Sequence, residues 1–179
     1  MNDRFPAHTP ATAVGAAADL LAGIVDRSGS ADPMVRTMAG SPSVLGGYLD
    51  LSRAMKRSRL DRAISERISL AVQARLGCEL CLAAHTDGAR RAGVDDDEIE
   101  LAKRGTSSIP AIAAIVDFGR RVHADPASIA DEDIDELRRL GYRDRDVLDV
   151  VGLVALNVLT GSFNLVAGLE RTNDLAATA

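Results

Sequence analysis

The sequence lacks the features that would direct it outside the cell or into a membrane. It has only two cysteines, and a chain of 179 residues buries roughly 70% of its unfolded surface, so it needs no disulfide to fold. The N-terminal apolar stretch at 11–25 carries Asp19 and no basic leader, so no signal peptide is predicted. No apolar run is expected to reach the ~18–20 uncharged residues of a membrane span. These absences predict a reducing, cytoplasmic compartment, where cysteines are free for chemistry.

Basic residues are in the minority, and nucleotide-binding motifs are missing. The 21 Lys and Arg residues against 26 Asp and Glu residues give a net charge of −5, and no Lys/Arg-rich block is present. This charge argues against nucleic acid or an anionic membrane as the main partner. The chain has no Rossmann fingerprint and no phosphate-binding loop. We therefore expect no tightly bound cofactor, and any electrons must arrive from outside.

The apolar pattern predicts an all-α fold. No stretch alternates apolar and polar residues with the β-branched enrichment of strands. Apolar residues instead recur at helical spacing, separated by proline, glycine and capping residues. Asp32, Ser41 and Asp95 are predicted to cap the helices that follow them. The predicted helices lie at about 11–26, 33–39, 42–55, 58–76, 78–92, 95–104, 110–123, 131–141 and 144–170.

The chain divides into three predicted parts. Residues 1–32 form an N-terminal arm and helix, residues 33–171 form the main helical domain, and residues 172–179 form a C-terminal tail. The last helix is apolar nearly all round, which indicates a central or interface helix. Asn157 and Asn164 lie on one face of it, and we expect them to form hydrogen bonds between helices rather than to bind a ligand.

One segment carries a concentration of reactive side chains. Cys78, Cys81 and His85 stand at positions i, i+3 and i+7, which places them on one face of a helix. Glu66 comes twelve residues before Cys78 and would lie about 120° away from that face in a continuous helix. Glu66 can join the site only from a separate helix, and Gly77 offers the break. The preceding helix must then fold back so that Glu66 reaches His85.

The chemistry of a thiol explains why a histidine is needed beside it. Lowering a cysteine pKa from about 8.5 to about 6 raises the thiolate fraction at pH 7 roughly thirtyfold. The accompanying loss of nucleophilicity is roughly tenfold to fifteenfold, which leaves a net gain of about twofold. A fast cysteine enzyme must therefore also protonate its leaving group. His85 can transfer that proton, and Glu66 can orient the imidazole.

The positions of the two cysteines suggest different roles. Cys81 lies one turn before His85 and is the better candidate for the attacking sulfur. Cys78 is then the resolving thiol that closes the disulfide, although its place at the positive end of the helix dipole would lower its pKa too.

Other interpretations of these residues stay open. Both cysteines could be small buried apolar residues. Cys78, Cys81, His85 and Glu66 could also ligate zinc, although structural zinc sites favour Cys and His in all four positions and no second cysteine pair exists. Taken alone, Glu66 could be one of many solvated glutamates on a helix.

The order Glu66, Cys78, Cys81, His85 and then a Gly93 turn resembles the AhpD-like alkylhydroperoxidase branch of the carboxymuconolactone decarboxylase superfamily. The resemblance covers residues 33–170. It implies an all-α fold around a central helical hairpin, a homo-oligomer that is commonly a trimer or hexamer, and thiol-dependent peroxide reduction through an internal disulfide. It also implies that Cys81 is peroxidatic, that Cys78 is resolving, and that His85 with Glu66 forms a proton relay.

The sequence departs from this family at one position. Members with peroxidase chemistry can carry a second histidine between the cysteines, where this chain has Leu80. The implied function is reduction of organic hydroperoxides, with a small dithiol or a lipoyl-type carrier protein as the external reductant. The alternatives are a dithiol redox sensor and a structural helical oligomer. A lactone decarboxylase is disfavoured because those members generally lack the cysteine pair.

Overall fold

The computed structural model describes residues 4–169, and every regular element in this range is helical. This confirms the predicted all-α fold, while the predicted tail at 172–179 lies outside the described residues. The α-helices are α1 (Ala16–Ser28), α2 (Pro33–Met38), α3 (Pro42–Met55), α4 (Arg62–Leu76), α5 (Glu79–Arg91), α6 (Asp96–Lys103), α7 (Pro110–Ala124), α8 (Asp131–Arg139) and α9 (Asp144–Ala167), with a 3₁₀ turn at Pro126–Ser128 between α7 and α8.

Capping side chains determine where several helices begin. The carboxylates of Asp32 and Asp95 accept hydrogen bonds from the backbone N–H groups of Met34 and Glu98, both at 2.8 Å, which confirms two of the predicted caps. The predicted start of α4 at residue 58 is wrong. Asp61 caps this helix by accepting from the N–H of Ala63 at 2.8 Å, so the helix begins immediately after Asp61.

The described chain separates into two compact units. One comprises residues 4–53 and 163–169, and the other comprises residues 54–162. The boundaries at 32 and 171 expected from the sequence stay predictions. In the first unit, Leu21, Met38 and Leu45 are buried together with Phe163 packed against them. The guanidinium of Arg4 donates to the backbone carbonyl oxygen of Val166 at 2.9 Å.

Helix α4 is the centre of the second unit. One face of α4 packs Ile68 and Val72 against buried side chains of α7, α8 and α9. Another face packs Leu70 against Ala89 of α5 and the apolar side of α6. Every residue from Glu66 to Gln73 is buried. The predicted apolar stripe of α4 is therefore present, but the helix also has neighbours on its polar faces.

Polar side chains join α4 to α9 inside this unit. The amide nitrogen of Gln73 donates to the side-chain oxygen of Asn157 at 2.9 Å. The amide nitrogen of Asn157 donates in turn to the hydroxyl of Ser69 at 3.0 Å. This confirms the expected helix-to-helix role of Asn157, and it fixes the register of α9 on α4 because buried amides must keep their partners.

The expectation about apolar runs is corrected by α9. This helix is long and apolar enough to cross a membrane by length and composition, and 39% of its most apolar window is buried. Residues 150–169 contain no charged side chain. The expectation from the sequence failed because polar residues interrupt the apolar pattern of this run without adding charge. A core helix meets the same criterion, and Asn157 lies within this segment of α9.

A buried ion pair fixes the opposite side of α4. The Arg67 guanidinium lies 3.2 Å from the Glu98 carboxylate of α6, and both side chains are almost fully buried. Glu98 also accepts from the hydroxyl of Ser107 at 2.6 Å and from the N–H of Ser108 at 2.7 Å. Burial pushes the pKa of Glu98 upward, but these hydrogen bonds and the Arg67 charge outweigh it and lower that pKa to about 2.

Replacement of Glu98 by Gln should lower the free energy of unfolding by about 2 kcal/mol at pH 7, because Arg67 would stay buried without its carboxylate. The lowered pKa means that Glu98 stabilises the fold fully above about pH 5 and loses this contribution as the pH falls towards 2. In urea denaturation, the gap between variant and parent should therefore narrow at pH 3. Glu100→Gln, on the exposed side of the same helix, serves as the control, and an equal loss there would contradict the assignment.

Candidate active site

The two cysteines lie at the beginning of α5 and are joined as a disulfide. Cys78 caps the helix and Cys81 lies in its first turn, with their Cα atoms 5.3 Å apart. The backbone N–H of Cys81 donates to the sulfur of Cys78 at 3.3 Å. Cys78 is fully buried and Cys81 is 6% exposed. After reduction, the positive end of the α5 dipole would favour a thiolate here.

The fold brings Glu66 of α4 to His85 of α5, as the sequence predicts. Gly77 ends α4 in the left-handed region at φ 74°, which turns the chain back so that α5 packs on α4. The imidazole Nδ1 of His85 lies 2.7 Å from Oε2 of Glu66, across 19 residues of sequence. Cys81 and His85 stand four residues apart on α5, about one helical turn.

The Glu66 carboxylate is buried and has a side-chain partner on each oxygen. Its side chain is 4% exposed, Oε1 forms an ion pair with the exposed Arg62, and Oε2 contacts His85. An ionised carboxylate only accepts hydrogen bonds, so Nδ1 of His85 carries the hydrogen in this contact. The other ring nitrogen, Nε2, is then the one that can exchange a proton with a reacting group.

The four predicted site residues are thus arranged as two pairs, with His85 about one turn after Cys81 on α5 and Glu66 on α4. One pair is the disulfide, and the other is the hydrogen-bonded Glu66 and His85. Within residues 4–169, no group of three or more His, Cys, Asp and Glu side chains is arranged to hold a metal ion. The geometry suits a dithiol redox centre beside a general acid or base.

Two residues at this site were missed by the sequence analysis. Arg62 stands four residues before Glu66, a spacing at which opposite charges pair on a helix surface. Gly88 lies inside α5, and its Cα faces the Glu66 carboxylate. An isolated glycine within a helical pattern was the available signal, because it costs helix stability unless packing requires it.

Comparison with known families and structures identifies the fold. Residues 42–120 match the model of the carboxymuconolactone decarboxylase family. The structure is similar to that of an uncharacterized peroxidase-related protein with an alkylhydroperoxidase AhpD core from Ralstonia eutropha JMP134, with a TM-score of 0.77 at 21% identity over 91% of this chain and 88% of that chain. The chain therefore has an AhpD-like fold, and residues 42–120 are similar to the carboxymuconolactone decarboxylase family.

Other solved structures share this fold at lower similarity. A peroxidase-related protein from Silicibacter sp. TM1040 gives a TM-score of 0.71 at 19% identity, covering 84% of this chain and 81% of that chain. The debrominase Bmp8 gives a TM-score of 0.66 at 19% identity, covering 82% and 80%. No curated protein matches the sequence significantly. The fold is thus shared by proteins with different named chemistries, and the site must decide among them.

The turn at Gly77 can be tested by substitution. Gly77→Ala should lower the free energy of unfolding by about 1–2 kcal/mol, because an L side chain is strained at this positive φ. Gly47→Ala in α3 is the matched control, since the added Cβ meets nothing within 4 Å there and alanine is the better helix former. Urea denaturation of both variants should give changes of opposite sign, and stabilisation by Gly77→Ala would show that this turn does not hold the helical hairpin.

Proposed function

We propose that this protein is a thiol peroxidase that reduces organic hydroperoxides with the Cys78–Cys81 pair. The observation that carries the proposal is the disulfide at the start of α5, one turn before a histidine that is bonded to a buried carboxylate. A dithiol that forms an internal disulfide supplies two electrons, and the neighbouring imidazole supplies a proton. Both are required to cleave a peroxide bond.

The proposed cycle begins with the reduced dithiol. Nε2 of His85 first takes the proton of the Cys81 thiol. The resulting thiolate attacks the terminal oxygen of the hydroperoxide and the O–O bond breaks. The alkoxide takes that proton back from Nε2 and leaves as an alcohol. Cys81 is then a sulfenic acid. The Cys78 thiol displaces its hydroxyl group as water, which forms the disulfide. The cysteine sulfurs have together given two electrons, and the peroxide has been reduced.

An external dithiol must complete the cycle. One thiolate of the donor attacks the Cys78–Cys81 bond to form a mixed disulfide, and the second donor thiol releases the reduced protein. The donor leaves as a disulfide, so electrons balance. A small dithiol or a lipoyl-type carrier protein fits this requirement.

The assignment of Cys81 as the attacking sulfur is supported by exposure and position. Cys81 retains 6% of its surface while Cys78 retains none, so Cys81 is the more accessible of the two residues. Cys81 is also the cysteine one turn from His85. Cys78 then serves as the resolving thiol, already in contact with the backbone N–H of Cys81.

A second candidate reaction is reductive dehalogenation by the same dithiol. The fold is shared with the debrominase Bmp8, for which a cysteine-to-alanine variant has been solved in complex with 2,3,4-tribromopyrrole. A thiolate that removes bromine from an aromatic ring leaves a carbanion, which needs a proton, and the resolving thiol then expels bromide to form the disulfide. This chain has Leu80 where members with peroxidase chemistry can carry a second histidine, so the motif does not single out peroxide reduction.

We also propose that the protein is a homo-oligomer in the cytoplasm, a trimer or hexamer as in the family. Support comes from the exposed apolar side chains Leu148 and Val151 on α9, which are 69% and 45% exposed. Light scattering coupled to size exclusion measures the number of chains directly.

The cysteine roles predict distinct masses after reaction with one equivalent of cumene hydroperoxide. The reduced parent should lose about 2 Da by forming the disulfide, and Cys78→Ser should gain about 16 Da as the sulfenic acid on Cys81. Cys81→Ser should stay unchanged. Peroxide turnover by Cys81→Ser would overturn the role assignment.

Three further outcomes separate the candidate functions. An unchanged parent mass with peroxide, together with bromide release from tribromopyrrole, would favour dehalogenation. Slow disulfide formation without catalytic turnover in the presence of dithiothreitol would indicate a redox sensor. Thiols that resist alkylation until the protein unfolds would indicate a structural pair.

Loss of the His85 imidazole should lower the rate of peroxide reduction by about 10²- to 10⁴-fold, because the alkoxide would leave without a positioned proton donor. His85→Ala should also flatten the pH dependence of the rate. Asp87→Asn is the matched control, as Asp87 is an exposed residue of the same helix. A His85→Ala variant with the parent rate and pH profile would remove His85 from the mechanism.

A further inference from the structure

Gly88 of α5 lies against the buried carboxylate of Glu66. A Cβ atom built on Gly88 would lie 2.5 Å from Oε1, 2.7 Å from Cδ and 2.9 Å from Oε2 of Glu66. All three distances are well inside ordinary van der Waals contact. A side chain at position 88 and the carboxylate in its present place therefore exclude each other.

The Glu66 carboxylate is held in place by a partner on each of its oxygens. Oε1 is paired with Arg62 and Oε2 with His85, and the Glu66 side chain is 4% exposed. A movement away from Gly88 of about 1 Å lengthens the 2.7 Å contact with His85 by up to the same amount, which is more than the range of good hydrogen-bond distances allows. The hydrogen bond between Glu66 and His85 therefore requires that position 88 carry no side chain.

We propose that Gly88 is a positioning residue for the proton relay. Its missing side chain lets Glu66 reach His85, and Glu66 in turn holds the imidazole with the hydrogen on Nδ1 and Nε2 free for proton exchange. The effect of Gly88 on catalysis rests on the proposed function. Its effect on the position of Glu66 rests only on the contacts between Gly88, Glu66 and His85. Gly88 acts through Glu66 and touches no substrate.

The helix itself gives no reason for glycine at this position. Gly88 is not among the glycines with positive φ, and a glycine within a helix is less stable than alanine by about 1 kcal/mol. If Gly88 serves only Glu66, alanine should be harmful while the carboxylate is present and beneficial once it is removed. This change of sign distinguishes the proposal from a general packing requirement.

The first experiment is a double-mutant cycle on Gly88→Ala and Glu66→Ala, measured by urea denaturation. Gly88→Ala should lower the unfolding midpoint of the parent and raise the midpoint of Glu66→Ala. Gly119→Ala is the matched control, because its added Cβ would meet Ile68 Cγ2 at 2.8 Å and never approaches Glu66. It should lower both midpoints. A loss of stability from Gly88→Ala in both backgrounds would overturn the proposal.

The second experiment reads the imidazole tautomer by long-range ¹H–¹⁵N NMR of His85. The parent should give the form with the hydrogen on Nδ1, and Gly88→Ala should populate the form with the hydrogen on Nε2. Gly119→Ala should keep the parent pattern. An unchanged tautomer in Gly88→Ala would overturn the proposal. If the Gly88→Ala protein does not fold, the double variant Glu66→Ala/Gly88→Ala decides. A folded double variant supports the proposal, and an unfolded double variant contradicts it.

The rate of peroxide reduction completes the test. Gly88→Ala should be slower than the parent by about 10- to 100-fold, as when a group that orients a reacting residue is lost. Gly119→Ala should retain the parent pH profile, and a Gly88→Ala enzyme at the parent rate would contradict the positioning role. A parent without any peroxide reduction would end the proposed function instead, while the sign reversal in stability and the tautomer shift would still establish what Gly88 does.

Discussion

A carboxylate buried between two helices is the constraint on which this site depends. An ionised group loses most of its hydration on burial and is tolerated only where partners replace the water. Glu66 meets this condition with Arg62 on one oxygen and His85 on the other. The two partners come from different helices, so the carboxylate is satisfied only when α5 lies back against α4. The contact between Glu66 and His85 therefore serves both the packing of α5 on α4 and the proposed chemistry.

The same logic extends along α4. Glu66, Arg67 and Gln73 are all buried, and each has a partner on a different element: His85 on α5, Glu98 on α6 and Asn157 on α9. Apolar contacts alone allow a helix to rotate or slide at little cost, whereas each of these polar contacts is lost by a small shift. Three such contacts in different directions define one orientation of α4, and this orientation presents Glu66 to the cysteine-bearing helix.

The sequence contained most of this arrangement in local signals. Proline and capping aspartates placed the helix starts, and the angular argument about Glu66 required a fold-back at Gly77 that the structure contains. The start of α4 was missed because the apolar period continues through Leu60, where the Asp61 cap decides the boundary. The Arg67–Glu98 pair could not be predicted, since nothing local distinguishes a buried charged side chain from a solvated one. Gly88 gave only the signal of an isolated glycine within a helical pattern. The role of its missing side chain can be recognised only once the neighbouring helix is in place.

The requirements for this chemistry therefore reach beyond the cysteine motif. Lowering a thiol pKa alone gains about twofold in reactivity, so the rate depends on how a proton is delivered to the leaving group. In this chain Leu80 contributes no proton, which leaves His85 as the donor among the motif residues. Under the proposed mechanism, His85 serves only if Glu66 sets its tautomer, and Glu66 does so only where position 88 carries no side chain. A chain with the same cysteines and histidine but a larger residue at this position would keep a dithiol and lose the relay. Motif matching would assign both chains one activity, whereas under the proposed mechanism the contact between α4 and α5 determines whether the proton relay forms.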